Sequence, residues 1–394
     1  MSSQAAKEYL ELLWKQYQSA DRRLKSAILD EVCRNLSIHR KSATRLMTRK
    51  YQPRSLQGHR GGRKKHYSEE CKRHLEKLWR AMGYMWPKRM KVAMLEWLKH
   101  YEDRTCSDSI RVELLSMSAS TIGRFLLKAR SMLRRKMNTG TRRGVRRFLT
   151  KVPIRNLGVT PTEVGHCEVD CVAHCGGSLS GSFAWTVNLT DIATGWTECE
   201  AVWAKDAFHV RRAIEHMEKR LPFKLQAIYV DNGTEFLNED VVEKYAAQRK
   251  PEPLKVFRGR PYRKNDQAYI EQKNYTHVRH IMGYGRIDWE GSIAQINDLY
   301  RKEWRQLQNY YMPQQKLIEK VRNGAKIKRT MDDGATPYDR IKNLLGPEAI
   351  ADLTHHRNTI NPFKARESQR AKVRRIYSYY KNSISTDEWG KMAV

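Results

Sequence analysis

The sequence predicts a multidomain protein with three parts. These are a helical helix-turn-helix N-terminal region, a central α/β core on a mixed five-stranded sheet with flanking helices, and a mostly helical C-terminal region. Three observations carry this expectation. Apolar residues recur at helical spacing from residue 6 to about 131. Near residue 163 the pattern switches to short β-type segments that alternate with helical ones. The charge also changes sign along the chain. Residues 1–150 hold 36 Lys and Arg against 13 Asp and Glu, whereas residues 163–250 hold 9 against 14. The whole 394-residue chain carries +32, which asks for a polyanionic partner.

Residues 1–52 read as the first module. Leu10, Leu13, Trp14 and Tyr17 share one helical face. AILDEVCRNL, a break at SIHR and KSATRLMTRKY then follow as helix, turn and helix. Ser37 suits the N-cap of the last helix. That leaves His39, Arg40, Lys41, Thr44 and Arg45 on its exposed side or N-terminal end, where a recognition helix meets DNA. An ordinary helical hairpin with a solvated basic face has the same pattern. Residues 53–66, with Arg63, Lys64 and Lys65, lack apolar periodicity and read as a basic linker suited to a minor groove.

Residues 67–131 read as a second helix-turn-helix-like domain. SEECKRHLEKLWRAM opens on a Ser cap with two Glu in its first turn. MSASTIGRFLLKARSML, capped by Ser118 or Ser120, presents Thr121, Arg124 and Lys128 outward. A second basic linker, 132–162, carries Arg142, Arg143, Arg146 and Arg147 and is suited to follow a phosphate backbone.

The core spans 163–290. HCEVDCVAHC is its first strand. In FAWTVNLT, Phe183, Trp185, Val187 and Leu189 alternate with Ala184, Thr186, Asn188 and Thr190. After the turn DIATG, WTECEAVW completes a three-strand meander. A helix at about 206–220 turns Phe208, Ile214 and Met217 inward. The strand LQAIYV ends at Asp231. Then come a helix at 239–248, the strand LKVF, the basic loop GRPYRKND, and a helix that starts near Gln267 and runs through Glu271. The order βββαβαβα is that of a ribonuclease H-like domain. Residues 291–394 read as a helical basic region, with Trp289, Ile293, Leu299, Trp304, Leu307 and Tyr310 marking long helical material over 290–320.

Three acids stand out by position: Asp170 in the first strand, Asp231 at the end of the fourth, and Glu271 on the helix after the fifth. Sixty residues separate the first two and 39 the last two. In this layout strands one and four are neighbours, so the acids meet at one sheet edge. Three carboxylates there repel one another unless cations sit among them. Two Mg²⁺ ions about 3.5–4 Å apart suit in-line phosphoryl transfer, with Mn²⁺ as the substitute. Taken singly, each acid has an ordinary reading as turn former or salt-bridge partner. Glu168, Asp191, Glu235 and Asp266 rank below the three. The Cys167, Cys171 and Cys175 spacing is unusual for zinc. In a strand, the outer two stand about 26 Å apart at roughly 3.3 Å per residue, so buried small hydrophobes account for them better.

GHCEVDCVAH, VNLTDIATGWTECE, IYVDNGTEF and GRPYRKNDQAYIEQKN together resemble the integrase core of bacterial insertion-sequence transposases and retroviral integrases, over about residues 163–290. The tandem helix-turn-helix region resembles the same transposases. The resemblance implies a DDE-type transposase that cleaves 3′ ends and transfers strands, with Asp170, Asp231 and Glu271 as catalytic metal ligands. It implies that Asn232 and Gly233 shape the turn after the second Asp. The implied partners are double-stranded DNA, as terminal inverted repeats and target, and further copies of the chain in a dimer or higher oligomer. Where the family commonly has Asn-Gly-Lys-x-Glu-Arg, this chain has Asn265-Asp266-Gln267-Ala268-Tyr269-Ile270-Glu271-Gln272. The expected DNA contacts near Glu271 are then Lys264, Lys273 and Arg279.

Two other functions share much of this pattern: a domesticated DNA-binding protein without catalysis, and a metal-dependent nuclease without strand transfer. No GxxxxGK[ST] motif is present, so no nucleotide cofactor is expected. No run approaches the roughly 18–20 apolar residues of a membrane span, so no membrane partner is expected. Seven scattered Cys fit reduced thiols. The expected location is the bacterial cytoplasm, on the nucleoid.

Overall fold

The computed structural model describes residues 3–48, 67–131, 152–154, 161–259, 273–323 and 326–378. The chain divides into two compact units, 1–66 and 67–394.

In the first unit, helices α1 (Ser3–Ser19), α2 (Arg22–Leu36) and α3 (Arg40–Thr48) close around Leu13, Ile28, Leu29, Val32, Ala43 and Met47, with Leu10, Trp14 and Tyr17 packed at the edge. Asp21 caps α2 by accepting the Leu24 N–H. Ser37 does not cap α3, contrary to the sequence reading. It ends α2 in the left-handed region at φ 52°, with its own N–H on the Cys33 carbonyl. His39 takes over at the start of α3, where its Nδ1 accepts the Lys41 N–H at 3.2 Å. His39, Lys41 and Arg45 are exposed and Thr44 is half-buried. Arg40 is exposed but tied to α2 through Asp30 and Ser26.

The second unit begins with helices α4 (Glu69–Ala81), α5 (Pro87–Lys99), α6 (Asp108–Ser116), α7 (Ala119–Phe125) and α8 (Leu127–Ser131). Ser68, Ser107 and Ser118 cap α4, α6 and α7 through their hydroxyls. Thr121 is buried in α7, where the sequence reading turned it outward. Its N–H donates to Ser118 Oγ, which draws it into the cap, while Arg124 and Lys128 are exposed. These helices share one apolar core with the C-terminal region. Trp97 is fully buried, donates Nε1–H to the Tyr311 carbonyl, and meets Phe363 edge-on at 5.0 Å between centroids.

The central sheet has strands β1 (His166–Ala173), β2 (Trp185–Asp191), β3 (Thr197–Val202), β4 (Ala227–Val230) and β5 (Lys255–Arg258) in the order β3-β2-β1-β4-β5. β1 runs antiparallel to β2 and β2 to β3, whereas β4 is parallel to β1 and β5 to β4. This is the ribonuclease H-like layout expected from the element order. One face packs Val169, Val187, Leu189 and Val230 against helix α9 (Ala207–Glu218) and the helix Asp240–Ala247. The other packs Val172, Cys199 and Ala201 against Val278, Tyr300, Trp304 and Ile376 from later helices. Because both faces are covered, every β3 residue is buried, as are all β2 residues except Trp185. The alternation in the sequence therefore separates two buried faces, not core from solvent.

Phe208 corrects another expectation. It is 46% exposed at the start of α9, because the buried stripe is Val210, Ala213, Ile214 and Met217. The helical material expected to 320 ends near Tyr311, and β6 (Leu317–Asn323) and β7 (Lys326–Met331) follow as an antiparallel hairpin. Trp289 is 41% exposed. Helices Pro337–Ile341, Pro347–Asn358 and Pro362–Ser378 make the C-terminal region mostly helical. All seven cysteines are free; Cys167 and Cys175 are buried in apolar clusters. Among the described residues no helix is long and apolar enough to cross a membrane.

Candidate active site

Parallel pairing of β1 with β4 brings the first two acids together. The last paired positions are Val169 and Val230. Asp170 and Asp231 each stand one residue further on, and paired residues in neighbouring parallel strands lie about 4.8 Å apart and face the same way. Val169 and Val230 both point toward α9. Asp170 therefore faces the other side, that of the helix Asn274–Arg279.

The half-buried Asp170 carboxylate is held from two directions. Its Oδ1 accepts the Cys171 N–H at 2.7 Å and its Oδ2 accepts Nδ2–H of Asn274 at 2.6 Å. Asn188, opposite Asp170 in β2, donates in turn to Asn274 Oδ1 at 3.1 Å. The chain just after Glu271 is thereby docked on Asp170. Burial, and next the Asp231 carboxylate, push the Asp170 pKa from 3.8 up to about 7, against the two hydrogen bonds it accepts. Among the described residues no Lys or Arg pairs with it, so the charge it gains on ionising is uncompensated.

Asp231 shapes its own turn by accepting the Gly233 N–H on Oδ1 at 2.8 Å. Asn232 donates Nδ2–H to the Gly259 carbonyl at 3.1 Å, tying the end of β4 to the end of β5. A Cβ at Gly233 would lie 2.4 Å from Glu235 Oε2 and 2.7 Å from Asp231 Oδ1, so the carboxylates would have to shift to admit one. Glu235 is buried and paired with Lys205 at 2.5 Å. Its charge is answered within the protein, unlike that of Asp170. Asp191 is also structural: it accepts from the Gly165 and Thr194 N–H groups and the Thr194 hydroxyl.

Glu271, Lys264, Arg63, Lys64, Lys65, Arg142, Arg143, Arg146 and Arg147 lie outside the described residues. Among the described residues no three His, Cys, Asp or Glu side chains converge to hold a metal ion. Lys273, expected as a surface contact to DNA, is instead buried, with Nζ donating to Gln314 Oε1. Arg279 is half-buried, 5.1 Å over the Tyr284 ring. Sequence reasoning missed Asn188 and Asn274. The second had a signal, since Asn274 follows Glu271 by three residues, the spacing of one helical face.

No family model matches the chain. The uncharacterized protein y4rM of Sinorhizobium fredii (strain NBRC 101917 / NGR234) is 35% identical over 348 residues, covering 84% of this chain and 94% of that protein. The chain belongs to the same family as y4rM. Among solved structures, the catalytic core domain of BIV integrase aligns with 49% of this chain and 98% of its own, at 14% identity and a TM-score of 0.30. The fold assignment rests on the sheet order and strand directions rather than on that alignment.

Proposed function

We propose that this member of the y4rM family is a DDE-type DNA strand transferase, which cleaves the 3′ ends of a mobile element and joins them to target DNA. The observation that carries the reading is the juxtaposition of Asp170 and Asp231 at the ends of neighbouring parallel strands, on the face where the chain following Glu271 docks. A carboxylate with an uncompensated charge in this setting supports a hard divalent cation as its missing partner. Asp170, Asp231 and Glu271 would hold two Mg²⁺ ions, with Mn²⁺ as substitute, which when bound stabilise negative charge on the transferring phosphate.

The chain's own residues contribute orientation. Asn274 and the Cys171 N–H fix both Asp170 oxygens. Gly233, through its N–H on Asp231, and Asn232, through Gly259, would keep Asp231 in its turn. The exposed cations Lys41, Arg45, Arg124 and Lys128 suit phosphate contacts along double-stranded DNA, with terminal inverted repeats as the recognised sequence and a dimer or higher oligomer pairing two ends. Action in the bacterial cytoplasm, on the nucleoid, accords with a bacterial relative.

The test uses the DNA flanking the gene as substrate. Wild-type protein with Mg²⁺ is expected to release 3′-OH ends and Asp231→Asn to release none. Equal cleavage by both proteins overturns the assignment.

A further inference from the structure

The segment that docks on Asp170 also walls a separate cavity. Asn274 reaches the acid, whereas its neighbours Lys273 and Tyr275 line a space of about 620 Å³ with Trp86, Lys88 and Arg89 at the start of α5 and Arg130 of α8. Among the described residues the wall contains four cations and no Asp or Glu.

Those cations are poorly compensated. Lys273 is 6% exposed, and its Nζ rests on a neutral amide oxygen of Gln314. Arg89 donates Nε–H to the Pro313 carbonyl and pairs with no carboxylate among the described residues. An anion entering the cavity would supply the counter-charge that its wall lacks among the described residues.

Two aromatic rings narrow the identity of that anion. Trp86 is 65% exposed and Tyr275 58% exposed, unusual positions for such large rings. Arg130 covers one face of Trp86 at 4.3 Å, and no ring of the protein stacks on the other among the described residues. Open rings beside a cationic pocket are the elements that single-stranded nucleic acid uses, with its base stacked and its phosphate paired. A duplex keeps its base faces hidden. The volume falls within the range of about 300–1,000 Å³ common to small-ligand sites, which admits a nucleotide.

We propose that this cavity receives one unstacked nucleotide from a single-stranded tail at the DNA end being processed, with its phosphate on Lys273 and Arg89 and its base on Trp86 or Tyr275. The proposal rests on the strand-transferase reading and adds a subsite beside the acids.

The test measures anisotropy of labelled DNA with the full-length protein in EDTA, so that binding is read without cleavage. The probes are a blunt duplex, the same duplex with a short thymidine tail, and the same duplex with an abasic tail of equal length. The tail is expected to tighten binding by about tenfold, from stacking of one base, and the abasic tail by less. The Trp86→Ala, Tyr275→Ala double variant, altered only at exposed rings, is expected to lose the difference between thymidine and abasic tails. Lys273→Gln is expected to lose the gain from both tails. No tail preference in the wild type, or a thymidine-over-abasic difference that survives in the double variant, overturns the subsite. Failure to bind even blunt duplex overturns the broader reading instead.

Discussion

Asp170→Asn is expected to remove the pH dependence that this half-buried acid imposes on the metal-free protein. The carboxyl ionises near 3.8 when unperturbed and near 7 in the fold, with burial the larger cause and Asp231 the second. At about 1.36 kcal/mol per pH unit, the linkage amounts to about 4 kcal/mol in full. Its sign follows from proton binding. The folded state holds the proton over the window from about 4 to 7, so stability is fully present below the lower limit and is lost as pH rises through the upper one. Asn carries no charge and avoids that loss, although its one amide oxygen can accept from only one of Cys171 and Asn274, at about 1 kcal/mol. Urea denaturation in EDTA reads the effect. The variant's stability relative to wild type should rise by about 2–3 kcal/mol between pH 5 and pH 8. His174, pushed down to about 3 by burial, titrates alike in both proteins and cancels from the comparison. A difference that stays constant across this range refutes the argument that Asp170 is held against its charge.

Three further predictions follow from the same geometry. Asn274→Ala removes the donor on Asp170 Oδ2 and should lower Mg²⁺-dependent cleavage by about 10- to 100-fold, as measured by steady-state rate against Mg²⁺ concentration. Gly233→Ala forces a Cβ into Glu235 and Asp231 and should cost about 1–3 kcal/mol in urea denaturation, with loss of cleavage. Arg45→Ala, at an exposed position of α3, should weaken DNA binding across sequences and reduce the slope of log affinity against log salt by about one.

The parts of the fold legible in the sequence were those set by local rules. Strand order followed from the alternation of short β-type and helical segments, and Ser68 and Ser118 announced their helices through cap chemistry. Asp170 and Asp231 could be paired because topology alone places strand one beside strand four. The misreadings came where distant packing decides. Phe208 lies off a stripe defined by the sheet beneath α9, and Lys273 is buried by residues some forty positions later in the chain, Gln314 among them. Ser37 shows that a capping residue between two helices can close the first instead of opening the second. The hairpin after Tyr311 was obscured by the helical periodicity that precedes it.

The most direct test of the central claim is strand transfer from a DNA end supplied with its 3′-OH already exposed. Wild-type protein with Mg²⁺ should join that end to target DNA, and Asp231→Asn should yield no joined product. Joining by Asp231→Asn at the wild-type rate, or cutting without joining by the wild type, would contradict the account.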